Sequence, residues 1–506
     1  MVQRLSTTVS STQKEDQFAK LVGEFGLWQF IIFASVSMVK LSSGWVQMAI
    51  LFLTPKMDYW CVEFANSTAN IASLLAALEI GLVSNATCYA DCVRYEYDTS
   101  PFENTILSEW DLICDRAWLA SLTQTILQFG ILIGSILFGF LSDRYGRKNM
   151  FLISVILLIG LGFALPFSPS YVVFTTLRFF LGVASAGTMV ISFVIVMEAI
   201  GPSYREIFGC LFQIPFIIGH MTIPAFAYYF RNWDTYLLAL AVPPVMYISY
   251  FCLLSESPRW LLSCGRVEEA TRIVTKAAAM NNLPLMNIEQ TLIKLSVDRK
   301  SCSREVKPNY LTLFRPSLRL TTICSLLMWL ALGFIFFGLN QYISHTSSNP
   351  FVSVAAAGAI QIPANLLSIY LIRYFGRKFT TSFFFCMCGA CTIALGNVPN
   401  LTFWMTLLLG TMGVSFAAIV AASIYIYTSE LFPTVVRNMG LGASSMSMRI
   451  GSMIAPFVVN LNTTITWLPT LVFGVVPLAA GLVVLLLPET KGRALPDSIQ
   501  EAQNMN

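Results

Sequence analysis

Four ionisable side chains stand inside long apolar runs: Lys40, Arg178, His220 and Arg449. Charged groups in hydrocarbon are rare because each must be paired, hydrated or put to use. Lys40 lies midway along the run 27–53, too far from either end to reach water easily. On a helix its neighbours at i−3, i+4 and i+7 are Ser37, Gly44 and Gln47, which form one polar stripe. Arg449 likewise has Gly442, Ser445 and Ser452 at i−7, i−4 and i+3. Two polar stripes, each centred on a cation and with no Asp or Glu near mid-run, read as walls of a cavity that holds an anion. Neutralisation of each cation by backbone carbonyls is the competing structural reading. Arginine can grip a carboxylate with two parallel hydrogen bonds, whereas lysine acts as a point charge. Phe212, Phe216, Trp329, Phe336 and Phe337 are candidates to stack on a flat organic ion or to hold a cationic end. Arg178, in Arg178-Phe-Phe-Leu-Gly182, reads as structural or gating, and His220, between Gly219 and Met221, as a satisfied polar residue.

The rest of the composition narrows the classes. The 506 residues are 56% hydrophobic and 11% charged, against about 25% charged in soluble domains. Mean hydropathy is +0.68. A water-soluble enzyme or nucleic-acid binder is excluded on these grounds. No nucleophile–base set, no GxxxxGK[ST] phosphate loop and no metal-ligand cluster occurs, and there are only two histidines. The expectation is a protein that is not an enzyme, needs no cofactor or metal, binds no nucleic acid, and has the lipid bilayer and a small organic ion as its partners. The coupling ion is unknown from the sequence.

The elements that must position these residues are membrane helices. Twelve runs are long enough to cross a bilayer: 27–53, 117–141, 149–167, 171–196, 207–229, 234–254, 318–341, 351–372, 379–397, 401–426, 438–459 and 466–487. They are too long and too evenly apolar for barrel strands. Residues 1–26 are polar and carry no signal-peptide core. The loop 55–116 has three basic and ten acidic residues, whereas 255–319 has eleven basic and six acidic. Arg144, Arg147 and Lys148, and again Arg373, Arg377 and Lys378, fall on the same side as that basic segment. The positive-inside rule then puts both termini (1–26 and 488–506) and the linker 255–317 in the cytoplasm, and 55–116 outside. The outer loop holds Cys61, Cys88, Cys92 and Cys114, expected as two disulfides with three pairings open. It also holds glycosylation sequons at Asn66 and Asn85. The expected address is the plasma membrane.

The chain repeats itself. Gly146-Arg147-Lys148 recurs 230 residues later as Gly376-Arg377-Lys378. Glu198 to Arg205 recurs as Glu430 to Arg437, and Pro258 maps by the same period onto Pro488. Two six-helix halves, 27–254 and 318–487, are expected, with a site between them near the midplane.

At these residues the sequence resembles the major facilitator superfamily. Gly139-x-x-x-Asp143-Arg144-x-Gly146-Arg147-Lys148 is similar to the superfamily's loop motif after span two. Phe25-Gly26-x-Trp28-Gln29, the cysteine-bearing loop ending Trp110-Asp111-Leu112-Ile113-Cys114, Glu256-Ser257-Pro258-Arg259-Trp260-Leu261 and Pro488-Glu489-Thr490-Lys491-Gly492 resemble its organic cation, anion and zwitterion branch, solute carrier family 22. The resemblance implies transport of small organic ions by alternating access. It also implies that Asp143, Arg144, Glu198, Arg205, Glu430 and Arg437 latch the halves on the cytoplasmic side, with Gly139 letting helices approach closely. Arg147, Lys148, Arg377 and Lys378 are expected to be ordinary topology-setting charges. Arg373 stands where Asp143 stands in half one, so the loop charges are not symmetric.

Within the resembled family, the position of Arg449 carries Asp in cation transporters and Arg in anion and carnitine-type members. Asn365 and Gln361 depart from the lysine and the acid usual at their positions. The substrate expectation is therefore a carboxylate-bearing anion or a carnitine-like zwitterion, with Lys40, Arg449, Gln47, Ser445, Phe212, Phe216, Trp329 and Phe336 as its contacts. An organic cation carrier of the same family, a sugar-porter-like carrier and a transport-dead membrane sensor are the alternatives. Against the sugar porter, span seven lacks a paired-glutamine pattern and reads Phe336-Phe337-Gly-Leu-Asn340-Gln341.

Overall fold

Backbone amides in hydrocarbon must find partners within their own segment, so the apolar runs fold as helices. The computed structural model describes residues 17–64, 88, 92–285, 287–302, 310–397, 402–433, 436–461 and 467–492, with backbone alone at 206 and 297–302. Among them eleven helices are long and apolar enough to span a membrane. Spans one to six are Leu27–Leu53, Cys114–Tyr145, Arg147–Phe167, Tyr171–Ala199, Ile207–Tyr229 and Trp233–Leu253. Spans seven to ten are Arg319–Thr346, Pro350–Phe375, Arg377–Asn397 and Phe403–Leu431, and span twelve is Leu468–Leu485. Span eleven is the helix Arg437–Asn460. It is less apolar because it carries Arg449 and Ser444, Ser445, Ser447 and Ser452.

Within half one, span two packs on span four; within half two, span seven packs on span eleven and span nine on span twelve. The halves meet where span two lies on span eleven and span five on span eight. Spans two and three are one continuous path broken at Gly146, whose φ is +103°. Spans eight and nine break in the same way at Gly376, with φ +93°. Both are backbone conformations that favour glycine.

The loop after span one forms two antiparallel strands, Tyr59–Phe64 and Cys92–Tyr97. Disulfides join Cys61 to Cys92 and Cys88 to Cys114, which selects one of the three open pairings. Asn66 and Asn85 lie outside the described residues. The Tyr97 hydroxyl donates to Asp111 at 2.8 Å. Burial, and then the Asp111 carboxylate, push that phenol well above its ordinary range. Trp110 wedges between Phe174 and Trp233, at ring distances of 5.1 and 5.2 Å, and so fastens the loop to spans four and six.

On the opposite face the linker folds as helices Pro258–Ser263, Val267–Met280 and Ile288–Cys302. Their apolar sides bury Leu261, Val274, Ala277 and Leu292 against Phe18, Val22 and Trp28. Asn281 accepts from the Trp28 backbone N–H at 3.0 Å and donates to the Val22 carbonyl at 2.7 Å and to Gln29 Oε1 at 2.8 Å. The Gly26-x-Trp28-Gln29 segment is thus a socket for the linker.

Candidate functional site

Span one brings Lys40 and Gln47 to the middle of the bundle, about 10 Å apart along the helix, and span eleven brings Arg449 to Gln47 from the other half. The Lys40 side chain is buried, with 7% of the residue exposed. Its Nζ donates to Gln213 Oε1 at 3.3 Å and stands 5.0 Å from the centre of the Phe212 ring. Arg449 is half-buried, and its Nη1 donates to Gln47 Oε1 at 3.1 Å. That bond joins two residues 402 positions apart across the halves. The two cations lie within electrostatic reach of each other, and Arg449 also within reach of Tyr425. Among the described residues no carboxylate pairs with either cation. Gln47 is held in place from behind. Its Nε2 reaches Met189 Sδ at 3.2 Å, and its carbonyl accepts from Gln124 Nε2 at 3.2 Å.

The other candidates from the sequence divide around this pair. Phe212 is fully buried beneath Lys40. Trp329 is fully buried too, donating to Thr428 Oγ1 at 2.9 Å and standing edge-on to Tyr425 at 4.4 Å. Ser445 is half-buried one turn from Arg449 on span eleven. Phe336 is buried edge-on to Phe337, and Phe216 is half-buried against the main core. Gly44, read as part of a cavity stripe, instead lies against span five, where a Cβ would meet Gly219 at 3.4 Å. His220 meets Gln361 across the halves, whose Nε2 donates to His220 Nδ1 at 3.0 Å. Sequence reasoning missed Gln213 and Tyr425. A polar residue beside Phe212 was the available signal for the first; nothing in the sequence marked the second.

The halves close on the face that carries the disulfide loop. Ser121 Oγ donates to the Pro456 carbonyl at 3.0 Å, and Thr125 Oγ1 to the Met453 carbonyl at 2.8 Å. Phe52 stacks on Phe351 at 5.3 Å. The same helical stripes continue at i, i+3 and i+4 steps to Gly139 on span two and Gly442 on span eleven. There they part: no atom lies within 4 Å of a Cβ built at either glycine. The expectation that Gly139 marks a close approach is corrected. Span two's close contacts with span four are at Gly130 and Gly134, where a Cβ would strike the Phe179 carbonyl oxygen and lie 2.7 Å from the Val183 Cα, respectively. Spans two and eleven are therefore joined toward the loop face and apart at Gly139 and Gly442, while spans five and eight stay joined farther toward the linker face, where Asn365 Nδ2 donates to the Cys210 carbonyl at 3.2 Å.

The charges at the linker face gather into one cluster in each half. Arg147, read as a topology charge, is the hub of half one: it reaches Asp143 at 2.5 Å and Glu198 at 3.2 Å. Arg377 does the same in half two, with Glu430 at 2.9 Å. Arg144 is exposed over its neighbour Tyr145, at 5.5 Å. Arg205 and Arg437 cap the ends of spans four and ten, each donating from Nε to a carbonyl, Ile200 and Phe432, at 3.2 Å. Asp143 is 72% exposed, so its share of the network is small, whereas Glu198 at 21% and Glu430 at 17% are largely enclosed.

A second acid, unassigned from sequence, completes each cluster. Glu256 accepts from the backbone N–H groups of Arg147 at 2.9 Å and Lys148 at 3.1 Å, at the start of span three. Glu489 accepts from Arg377 at 3.0 Å and Lys378 at 3.1 Å, at the start of span nine. A carboxylate is favoured there by the free amides and the helix dipole. Ser257 and Thr490 then hydrogen-bond to Glu198 and Glu430. Glu256-Ser257 therefore matches Glu489-Thr490, and the assignment of Pro258 to Pro488 is corrected by three positions. A Cβ on Gly146 or Gly376 would strike these glutamates, which is the second reason for glycine at both.

Comparison with known proteins accords with this architecture. Residues 65–501 match the family described as sugar (and other) transporter. The organic cation transporter protein of Drosophila melanogaster is 30% identical, over 96% of this chain and 93% of its own. Solute carrier family 22 member 21 of Mus musculus is 30% identical, over 97% and 93%. The organic cation/carnitine transporter 2 of Mus musculus is also 30% identical, over 96% and 93%. The inward-open xylose transporter XylE from E. coli superposes with a TM-score of 0.67 at 16% identity, covering 94% of this chain and 99% of that one, a likeness of fold. The chain belongs to the sugar (and other) transporter family of the major facilitator superfamily, in its solute carrier family 22 branch, a family of transporters and not of enzymes.

Proposed function

We propose that this transporter carries small organic ions bearing a carboxylate, either anions or carnitine-like zwitterions, between its halves. The observation that carries the reading is the convergence of Lys40 and Arg449 on one mid-span site with no described acid paired to either. In a low-dielectric cavity two unneutralised cations repel each other and any cationic substrate more strongly than in water. A carboxylate relieves that repulsion. Arg449 would take it with its guanidinium fork while Lys40 supplies a point charge. A zwitterion's cationic end would rest on the half-buried Phe216, since Lys40 already covers Phe212, and Ser445, Gln47, Trp329 and Phe336 would shape the rest of the site. The name of one relative, an organic cation/carnitine transporter, supports the zwitterion arm.

In this reading the linker face is cytoplasmic and the disulfide loop is outside, in a plasma membrane. The described conformation then has spans two and eleven parted on the cytoplasmic side, and the Arg147 and Arg377 hubs hold each half's cytoplasmic ends together as the halves rock. The test is radiotracer uptake by expressing cells of a monocarboxylate, a zwitterion and a quaternary ammonium matched in size, with and without Na⁺ and a pH step. Saturable uptake of the carboxylate-bearing probes supports the proposal. Uptake of the quaternary ammonium alone, unchanged in Arg449→Ala, overturns it in favour of the cation carriers for which other relatives are named.

A further inference from the structure

The short link between spans seven and eight places one ring of half two among rings of half one. Asn349 closes that link as the N-cap of span eight, accepting from the Val352 backbone N–H at 3.2 Å, and Pro350 takes the first helical position. Asparagine at the cap and proline just inside it fix where a helix begins, so the next residue, Phe351, leaves the first turn in a set direction. Its ring stacks on Phe52 at 5.3 Å, lies tilted against Phe102 at 5.4 Å and meets Tyr228 edge-on at 5.7 Å. Phe52 is at the end of span one, Tyr228 is at the end of span five, and Phe102 belongs to the disulfide loop.

The loop is built into half one. The Trp233 backbone N–H donates to the Asn104 carbonyl at 3.0 Å, and Asn232 Nδ2 donates to Glu103 Oε2 at 2.8 Å. With Trp110 wedged against Phe174 and Trp233, Phe102 moves as part of half one, and both it and Phe52 are 3% exposed. The ring contacts differ in kind from the hydroxyl contacts between the halves on this face. Ser121 and Thr125 donate to carbonyls of span eleven, and Ser344 donates to the Leu51 carbonyl at 3.3 Å. Water replaces such a partner at little net cost when the halves part. It does not replace a ring, because parting Phe351 from its seat wets apolar surface and loses the aromatic pairs.

We infer that Phe351 is the plug of a gate on the loop face, seated among Phe52, Phe102 and Tyr228, and that the disulfide loop is thereby a working part of the transport cycle. Seated, the plug stabilises the conformation described here. A full cycle unseats it when the halves part on this face and reseats it when they close. The gate sets the balance between conformations and holds whichever ion the central site carries. It rests on the proposed function only for the side of the membrane on which this face lies.

The test measures how often this face opens, with the full-length protein in intact cells and an impermeant maleimide. Ser121→Cys, at a position 4% exposed, reports opening, and Thr99→Cys, on the exposed surface of the loop, reports its side. Thr99→Cys is expected to label rapidly and Ser121→Cys slowly. Adding Phe351→Ala to Ser121→Cys is expected to speed its labelling by about ten-fold or more, the population ratio that follows from losing two or three ring pairs, while Phe351→Tyr keeps the slow rate. Phe102→Leu is expected to act in the same direction although its position lies outside every span. Tyr228→Ala removes one pair at a ring that is 54% exposed, so folding is spared, and is expected to give about two- to ten-fold. Phe167→Ala, at a 74% exposed ring of the same face, is expected to change nothing. Unchanged Ser121→Cys labelling in Phe351→Ala and Tyr228→Ala, with Thr99→Cys labelled, overturns the gate and leaves the sidedness standing. Acceleration by Phe351→Ala but not by Phe102→Leu overturns the part given to the loop. Thr99→Cys labelled only after permeabilisation overturns the outward placement of the loop, and with it a gate on the outer side.

Discussion

Replacing Gln47 by Glu would place a carboxylate where the amide oxygen now accepts from Arg449 at 3.1 Å. The substitution keeps the shape and adds one negative charge to a site whose two cations sum to +2. Taking the charge centres about 4 Å apart and an effective dielectric of about 20, the new ion pair is worth about 4 kcal/mol. Lys40 remains to attract substrate, and part of the gain is spent on desolvating the new carboxylate. Halving the figure leaves about 2 kcal/mol against an incoming carboxylate, or about 30-fold in KM. The Gln47→Glu variant is therefore expected to raise KM for a monocarboxylate by about 30-fold, with a smaller change for a zwitterion, whose cationic end the glutamate attracts. Adding Lys40→Gln brings the site to a net charge of zero and is expected to admit a quaternary ammonium. The assay is initial-rate uptake of the three matched probes, normalised to surface protein. An unchanged KM for the monocarboxylate in Gln47→Glu, with normal surface expression, would refute the placement of the substrate carboxylate at Arg449.

Arg449→Lys is expected to lower carboxylate uptake by at least about ten-fold although the charge remains, because the two-pronged grip is gone; transport equal to the parent protein would leave Arg449 a structural residue. Arg147→Gln strands the largely enclosed Glu198, and a cost of about 1–2 kcal/mol is expected after discounting for partial exposure. Asp143→Asn, at an exposed acid, is expected to cost under about 0.5 kcal/mol, so thermal stability in detergent should fall clearly in the first variant and barely in the second. Cys88→Ser is expected to free Cys114 and leave Cys61 and Cys92 protected, read by an impermeant maleimide on intact cells; labelling of Cys61 would contradict the observed pairing. Gly139→Trp fills the open space between spans two and eleven. It is expected to trap the halves splayed and to abolish net uptake while leaving surface expression intact, and transport at normal rates would show that these helices need not close there.

The sequence alone determines the helices, because an apolar run of about 20 residues can satisfy its backbone in lipid in only one regular way. It also determines the doubling of the chain, since Gly146-Arg147-Lys148 and its copy must solve the same helix-break twice. The mid-span cations are legible as well: Lys40 and Arg449 stand out because hydrocarbon makes an isolated charge expensive. Span eleven is legible too, as the run 438–459, although serines and an arginine offset the apolar residues that identify the other spans. Contacts between distant segments are another matter. That Arg449 meets Gln47, that Cys61 takes Cys92, and that Arg147 rather than Arg144 gathers the acids at the linker face are decided by how helices pack. On one unbroken helix Arg144 and Arg147, three positions apart, would point in similar directions. The turn at Gly146 begins a new helix between them, and only that break aims Arg147 at Glu198, 51 residues away. Glu256 shows the same limit from the other side. Its acid is plain in the sequence, but the amides it caps belong to residues 109 and 108 positions earlier, and only the folded chain brings them together.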